Sequence, residues 1–256
     1  MTSLHPAATG LDYLAEIALQ SAALADAAQR DLDAPVEHCP GWSVAGLVEH
    51  VWFVHWFWGL IVEQRLSAPP QLDRPAPPER EVLIAEFRAG AARLVEILRA
   101  ADQQQPVWTW APAQQDVGFI TRHQVQEAAV HRWDAEHATG QQVSLQAPMS
   151  VDSIEELLTF SVASPADPPA TAQPSLGGAF TLIATDAEAS WTVSDAELAG
   201  TIRFERGAVA GLPSISASAS DLLLWLYKRV PLQIAAADPV AAGQLIDRFR
   251  ALTFTD

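Results

Sequence analysis

The sequence has only one cysteine, Cys39, so the chain cannot form an internal disulfide. It is also poor in basic residues: 15 Lys and Arg stand against 31 Asp and Glu, for a formal net charge of -16. Nucleic-acid backbones and anionic membrane surfaces are bound through basic patches, so we expect neither as a partner. The single cysteine, and an N-terminus that lacks a basic region followed by an apolar run, indicate a cytoplasmic protein.

The sequence also lacks an apolar run long enough to cross a membrane. Its most apolar stretch, residues 48–62, contains Glu49, His50 and His55, so it is too short and too ionisable for a span and predicts a buried helix. There is no G-x-S-x-G motif and no phosphate-binding glycine loop, which argues against a serine hydrolase and a nucleotide-binding protein. Hydrophobic residues make up 49% of the chain and charged residues 18%, which is typical of a protein with a packed core.

The first part of the chain predicts four long helices, because apolar residues recur there at helical spacing. These helices are expected up to about residue 30 and at residues 44–65, 79–101 and 119–140. Ser43 is expected to cap the start of the second helix, and Gly140 to end the fourth. Four long helices joined by modest loops favour a four-helix bundle over residues 1–141.

The character of the sequence changes near residue 141, and residues 151–256 predict an α+β domain. Three strand-like runs separated by turn residues favour a small antiparallel sheet, at residues 179–184, 189–193 and 200–204. Helices are expected at residues 151–162, 222–227 and 240–252. The predicted fold class is therefore an α-helical bundle followed by an α+β domain.

Three side chains suggest a metal site. Glu127 and His131 are four residues apart on the fourth helix, so both lie on one face, about 40° apart. His50 is in the middle of the second helix, within a strongly apolar stretch where an unpaired imidazole would be costly. Two histidines and a carboxylate leave a fourth coordination position open, as in catalytic zinc sites, although nickel and iron accept the same donors. The alternative is a solvated Glu–His pair and a hydrogen-bonded core histidine.

Four segments of the sequence resemble the mycothiol-dependent maleylpyruvate isomerase family. Three are in the first half: CPGWSV at residues 39–44, LVEHV at 47–51 and EAAVHRWD at 127–134. The fourth, ASDLLLWL at residues 219–226, is similar to a segment of the family's C-terminal domain. The resemblance therefore extends over nearly the whole chain.

This resemblance implies a fold, a ligand set and a cofactor. The N-terminal domain would be a metal-binding bundle of the DinB type, and the C-terminal domain would be similar to sterol carrier proteins. The family's metal ligands correspond to His50, Glu127 and His131, and the divalent metal is expected to be zinc. The implied thiol cofactor is mycothiol.

Further side chains have two interpretations each. Asp134, three residues after His131, is expected to orient that imidazole from a second shell, and a salt bridge with Arg132 or another arginine is the alternative. Arg229 is a candidate anchor for an anionic thiol cofactor or a carboxylate substrate, or else an arginine that interacts with the end of a helix. Cys39 is in a Pro-Gly turn with no obvious base beside it, so we do not expect a nucleophile there.

Two more histidines are not expected to bind the metal. His123 is about two helical turns from His131, too far for both to bind one ion easily. His55 is about 140° around its helix from His50 and should face elsewhere.

The favoured function is a metal-dependent, mycothiol-dependent transferase or isomerase. In this hypothesis a metal-bound cofactor thiolate attacks an electrophilic small molecule, which explains thiol chemistry in a chain with one cysteine. Two alternatives remain: a non-catalytic metal-containing protein that binds small molecules or lipids, and a metal-dependent hydrolase. The sequence predicts no oligomeric state.

Overall fold

Four long helices come first along the chain, and a mixture of helices and strands follows. The computed structural model describes residues 10–71, 73–171 and 173–254. The chain divides into two units, Met1–Trp110 with Gln114–Ser144 and Leu145–Asp256 with Ala111–Ala113. The helices of the first unit are α1 Tyr13–Ala28, α2 Val44–Gln64, α3 Leu83–Ala100 and α4 Val117–Ala138. The second unit has α5 Ala147–Phe160, β1 Ala179–Ala184, β2 Ser190–Asp195, β3 Ile202–Arg206, β4 Ser214–Ala217, α6 Ala219–Leu226 and α7 Pro239–Ala251. This succession confirms the predicted fold class.

The helices of the first unit start where side chains cap their free N–H groups. Ser43 accepts a hydrogen bond from the backbone of Gly46 at the start of α2, and Asp116 accepts one from Phe119 at the start of α4. Helix α1 packs against α3 and α4, and α2 packs against the same two helices. Their apolar faces share one core, which includes Leu47 and Phe87. The predicted cap at Ser43 is confirmed.

Helix α2 is the most apolar helix. Within the described residues it is the one helix whose length and composition would suffice to cross a membrane. Half of its most apolar 18-residue window is nevertheless buried inside the protein. Burial of that kind is typical of a core helix in a bundle.

The sheet of the second unit has four strands in the order β3-β2-β1-β4. Strands β1, β2 and β3 pair antiparallel, as predicted, and the side chains of Phe180, Leu182 and Trp191 are fully buried. A fourth strand, β4, which the sequence did not predict, pairs parallel to β1, so the sheet as a whole is mixed. Strand β4 has only four residues and leads directly to Ser218, the cap of α6, so its sequence lacks the length of a strand signal.

One histidine lies inside the core of the first unit. His55 on α2 is 1% exposed and stacks on Phe87 of α3. Neither of its ring nitrogens has a hydrogen-bond partner among the described residues. Burial lowers the pKa of His55 to about 4, while the charge of Glu127 raises it and that of His50 lowers it. The imidazole is therefore neutral at pH 7.

We expect His55 to make the protein less stable in mild acid. Because its pKa falls from 6.5 in the unfolded chain to about 4 in the folded one, the unfolded chain binds the extra proton between these values. Stability present above pH 6.5 is then lost as the pH falls toward 4, by about 3 kcal/mol. His55→Phe keeps the stacked ring and removes this loss. Urea unfolding of both proteins from pH 4.5 to 7.5 measures the difference, and a difference that does not change with pH would contradict the assignment.

Candidate metal centre

Helices α2 and α4 bring three predicted metal ligands together. The Nε2 atom of His50 lies 3.0 Å from Oε1 of Glu127, and Nε2 of His131 lies 3.6 Å from the same oxygen. The donor atoms of these three residues all lie within 4.8 Å of one another. Both imidazoles therefore direct the same kind of nitrogen toward one carboxylate oxygen.

The local geometry follows from helical spacing on α4 and from the packing of α2 against it. Glu127 and His131 are one helical turn apart, so their side chains project to the same side. His50 completes the group from α2, and its ring meets that of His131 edge to face at 5.1 Å between centroids. The side chains of His50, Glu127 and His131 are 30%, 20% and 13% exposed, respectively. The group is thus partly shielded but still reachable from solvent.

Neighbouring side chains stabilise the ionised form of the Glu127 carboxyl group. Burial alone would raise the pKa of this carboxyl, but the charge of His131 and the hydrogen bond with His50 lower it far below its usual range, and His123 lowers it further. The carboxylate is therefore ionised at neutral pH. An anionic oxygen between two imidazole nitrogens is a donor set suited to a divalent cation.

Asp134 contacts His131 on the side away from Glu127. Its Oδ2 atom lies 3.1 Å from Nδ1 of His131, and the Asp134 side chain is fully buried. The Asp134 carboxylate accepts a hydrogen bond from Nδ1–H of His131, so in the neutral imidazole that a metal requires the lone pair is on Nε2. Arg132, the alternative partner considered from the sequence, donates to Glu136 and to Gln20 on α1.

Cys39 is closer to this centre than its sequence position indicates. Its Sγ lies 3.9 Å from Oδ2 of Asp134, and the donor atoms of Cys39, His131 and Asp134 lie within 4.8 Å of one another. The turn that carries it is closed by the Trp42 N–H, which donates to the Cys39 carbonyl, and Gly41 there has a φ of +85°. The sequence identified the turn but had no signal for the contact, which joins residues 95 positions apart.

The other predicted or considered residues lie elsewhere. His123 stacks on Phe119 and pairs with Gln126, outside the three-donor group. His55 also lies outside that group, in the core between α2 and α3. Arg229 belongs to the second unit, where it is 6% exposed and donates to the carbonyl of Tyr227. Its role as an anchor stays a prediction.

A cavity of about 310 Å³ opens beside His50. Trp42 and Glu49 line it, and the Trp42 ring lies 5.0 Å from the His50 ring. Arg74, from the proline-rich loop, also lines it, and its guanidinium lies 4.2 Å from the centre of the Phe53 ring. Within the described chain Arg74 forms no ion pair, so its charge is available to an anion. The sequence carries no signal for this residue, because the loop in which it lies has no regular spacing. A larger cavity, of about 410 Å³ between α2 and α3, includes none of the three donors.

Comparison with known proteins supports the resemblance noted in the sequence. The family model for the mycothiol maleylpyruvate isomerase N-terminal domain matches residues 14–136, which include all three donors. No protein of curated function matches the chain by sequence.

Solved structures show the same fold. The crystal structure of the mycothiol-dependent maleylpyruvate isomerase has a TM-score of 0.61 at 12% identity, over 92% of this chain and 96% of that one. A histidine-to-alanine mutant of that protein has a TM-score of 0.57 at 11% identity over the same shares. The family prediction is confirmed for the first unit, most of which matches the mycothiol maleylpyruvate isomerase N-terminal domain.

Proposed function

We propose that this chain is a metal-dependent enzyme that uses mycothiol to transform a small electrophile, as an isomerase or a transferase. The observation that carries the proposal is the convergence of His50, Glu127 and His131 beside a polar cavity. The family of the N-terminal domain supports the thiol, because the solved relative is a mycothiol-dependent isomerase. Maleylpyruvate, the compound named for the solved relative, is the first electrophile to test.

The donor set fits a divalent metal of borderline softness. His50 and His131 would contribute their Nε2 atoms and Glu127 a carboxylate oxygen, and zinc is the proposed ion. Such an ion, when bound, lowers the pKa of a thiol ligand and so supplies a thiolate nucleophile at neutral pH. Asp134 orients His131 by accepting from its Nδ1, which keeps the other nitrogen free to coordinate.

The cavity beside His50 is the proposed site for the reacting molecules. Trp42 gives it an aromatic wall next to the imidazole. Arg74 supplies a cation without a carboxylate partner in the described chain, held by its contact with the Phe53 ring. A carboxylate on the substrate or on the thiol would therefore bind Arg74 by charge-assisted hydrogen bonds. Arg229, the anchor predicted from the sequence, remains a second candidate for that role.

We expect His50→Ala and His131→Ala each to bind one zinc equivalent fewer than the wild type and to lose thiol-dependent turnover. Asp134→Asn should keep the ligands but lower zinc affinity by about 10–100-fold, because a neutral amide oxygen is a weaker acceptor for Nδ1 of His131 than the carboxylate is. Zinc affinity is measured by competition with a chromophoric chelator. Turnover is measured with mycothiol and maleylpyruvate, and thiol consumption separates the outcomes: an isomerase regenerates the thiol and a transferase consumes it.

His123→Gln is the matched control, because His123 lies on the same helix but outside the donor group. It should keep the wild-type number of zinc equivalents. Unchanged zinc binding in His50→Ala or His131→Ala would contradict the metal assignment. Ester or amide cleavage that needs the metal but no thiol would contradict the thiol-dependent mechanism and favour a hydrolase.

We expect Arg74→Gln to raise the KM for a carboxylate-bearing electrophile. Loss of a charge-assisted hydrogen bond at this exposed position should raise it about 3-fold, with little change for the corresponding methyl ester. Arg99→Gln removes the same charge from the exposed end of α3 and should leave both values unchanged. Arg229→Gln in the same assay tests the second candidate. Equal changes for acid and ester would contradict an anion-binding role.

A further inference from the structure

A second group of metal-binding side chains lies outside the centre described above. Glu37 and His38 precede the turn that begins at Cys39, and His137 is in the last turn of α4. The Nε2 atom of His137 lies 3.2 Å from a carboxylate oxygen of Glu37. One donor atom from each of the three residues lies within 4.8 Å of the others. None of the three belongs to the group of His50, Glu127 and His131.

An aromatic side chain orders both imidazoles of this group. The His137 ring stacks on Trp133, at 4.8 Å between centroids and 7° between planes. The His38 ring lies against the same indole at 5.7 Å, and 5.9 Å from the His137 ring. Because the rings are held by packing, binding an ion there would cost less side-chain entropy than two freely rotating histidines would.

The donor chemistry selects the kind of ion. Two imidazoles and one carboxylate are ligands of zinc, whose bonds of about 2.0–2.1 Å set neighbouring donors about 3.3 Å apart in a tetrahedral site. The His137–Glu37 distance already fits this spacing. Glu37 is 70% exposed and His137 is 42% exposed, so both side chains have room for the remaining adjustment. The net charge of -16 favours cations over anions near this surface.

We propose that Glu37, His38 and His137 form a second zinc site, which we call the outer site. An ion there would tie the turn before α2 to the end of α4. That turn carries Cys39, whose sulfur lies beside Asp134, so the outer site would hold this contact in place. Its role is structural, and it is independent of any catalysis at His50, Glu127 and His131.

Zinc titration of the metal-free protein tests the outer site by counting. Competition with a chromophoric chelator should give two zinc equivalents for the wild type and for His123→Gln. His137→Ala and His38→Ala should each bind one, as should His50→Ala. The double variant His50→Ala with His137→Ala should bind none. Unchanged stoichiometry in both His137→Ala and His38→Ala would overturn the proposal, whereas one equivalent that is lost only in His50→Ala would leave the outer site empty and overturn it as well.

A second measurement guards against loss of structure in the alanine variants. Glu37→Gln keeps the size of the side chain and removes its charge, so zinc affinity at the outer site should fall at least 10-fold while circular dichroism is unchanged. In the His50→Ala background, zinc should shift the ring 15N resonances of His38 and His137. Because His50→Ala already removes the centre of His50, Glu127 and His131, any zinc bound by this variant reports on the outer site alone. Shifts confined to other histidines would overturn the assignment.

Discussion

One carboxylate oxygen shared by two imidazoles is the constraint on which the first unit depends. Oε1 of Glu127 lies 3.0 Å from His50 on α2 and 3.6 Å from His131 on α4. A partly buried charge needs such partners, since an unpaired carboxylate away from water is costly. The two helices must therefore hold a fixed register, and a shift of one residue on either would separate the three side chains. The caps at Ser43 and Asp116 fix where these helices begin.

Helix α4 carries most of the polar side chains of the candidate metal centre. Along one helix it carries Glu127, His131 and Asp134, and farther on His137. Asp134 is shared: His131 lies 3.1 Å from its Oδ2 and the Cys39 sulfur 3.9 Å from the same oxygen. A ligand on α4 and the turn that leads into α2 are thereby linked through one buried carboxylate. The polar groups would destabilise a helix interior if they were unpaired, and their mutual contacts offset that cost.

The proposed thiol chemistry does not require a cysteine nucleophile from this chain. Cys39 contacts a carboxylate that also contacts a proposed metal ligand, so its position suits support of the centre better than attack on a substrate. The reacting sulfur would instead come from a cofactor in the cavity beside His50. Arg74 at that cavity gives the strongly acidic chain a local positive charge, which would favour the anionic molecules proposed as ligands.

Much of the secondary structure was predictable because it depends on residues that are close together in the sequence. Helical periodicity, the cap at Ser43 and the four-residue spacing of Glu127 and His131 depend on neighbours along the chain. The sequence by itself therefore determined the four helices and two of the three donors. His50 was the natural third member because a histidine in an apolar helix needs a partner, and the family resemblance pointed to the same residue.

Long-range packing decided the rest. The parallel pairing of β4, the contact of Cys39 with Asp134 and the stacking of His38 and His137 on Trp133 join segments that are distant in sequence. No spacing along the chain encodes such contacts, because they depend on which faces of different elements bury each other. Only the tertiary structure, through that burial, turned separate histidines and acids into groups that can hold an ion.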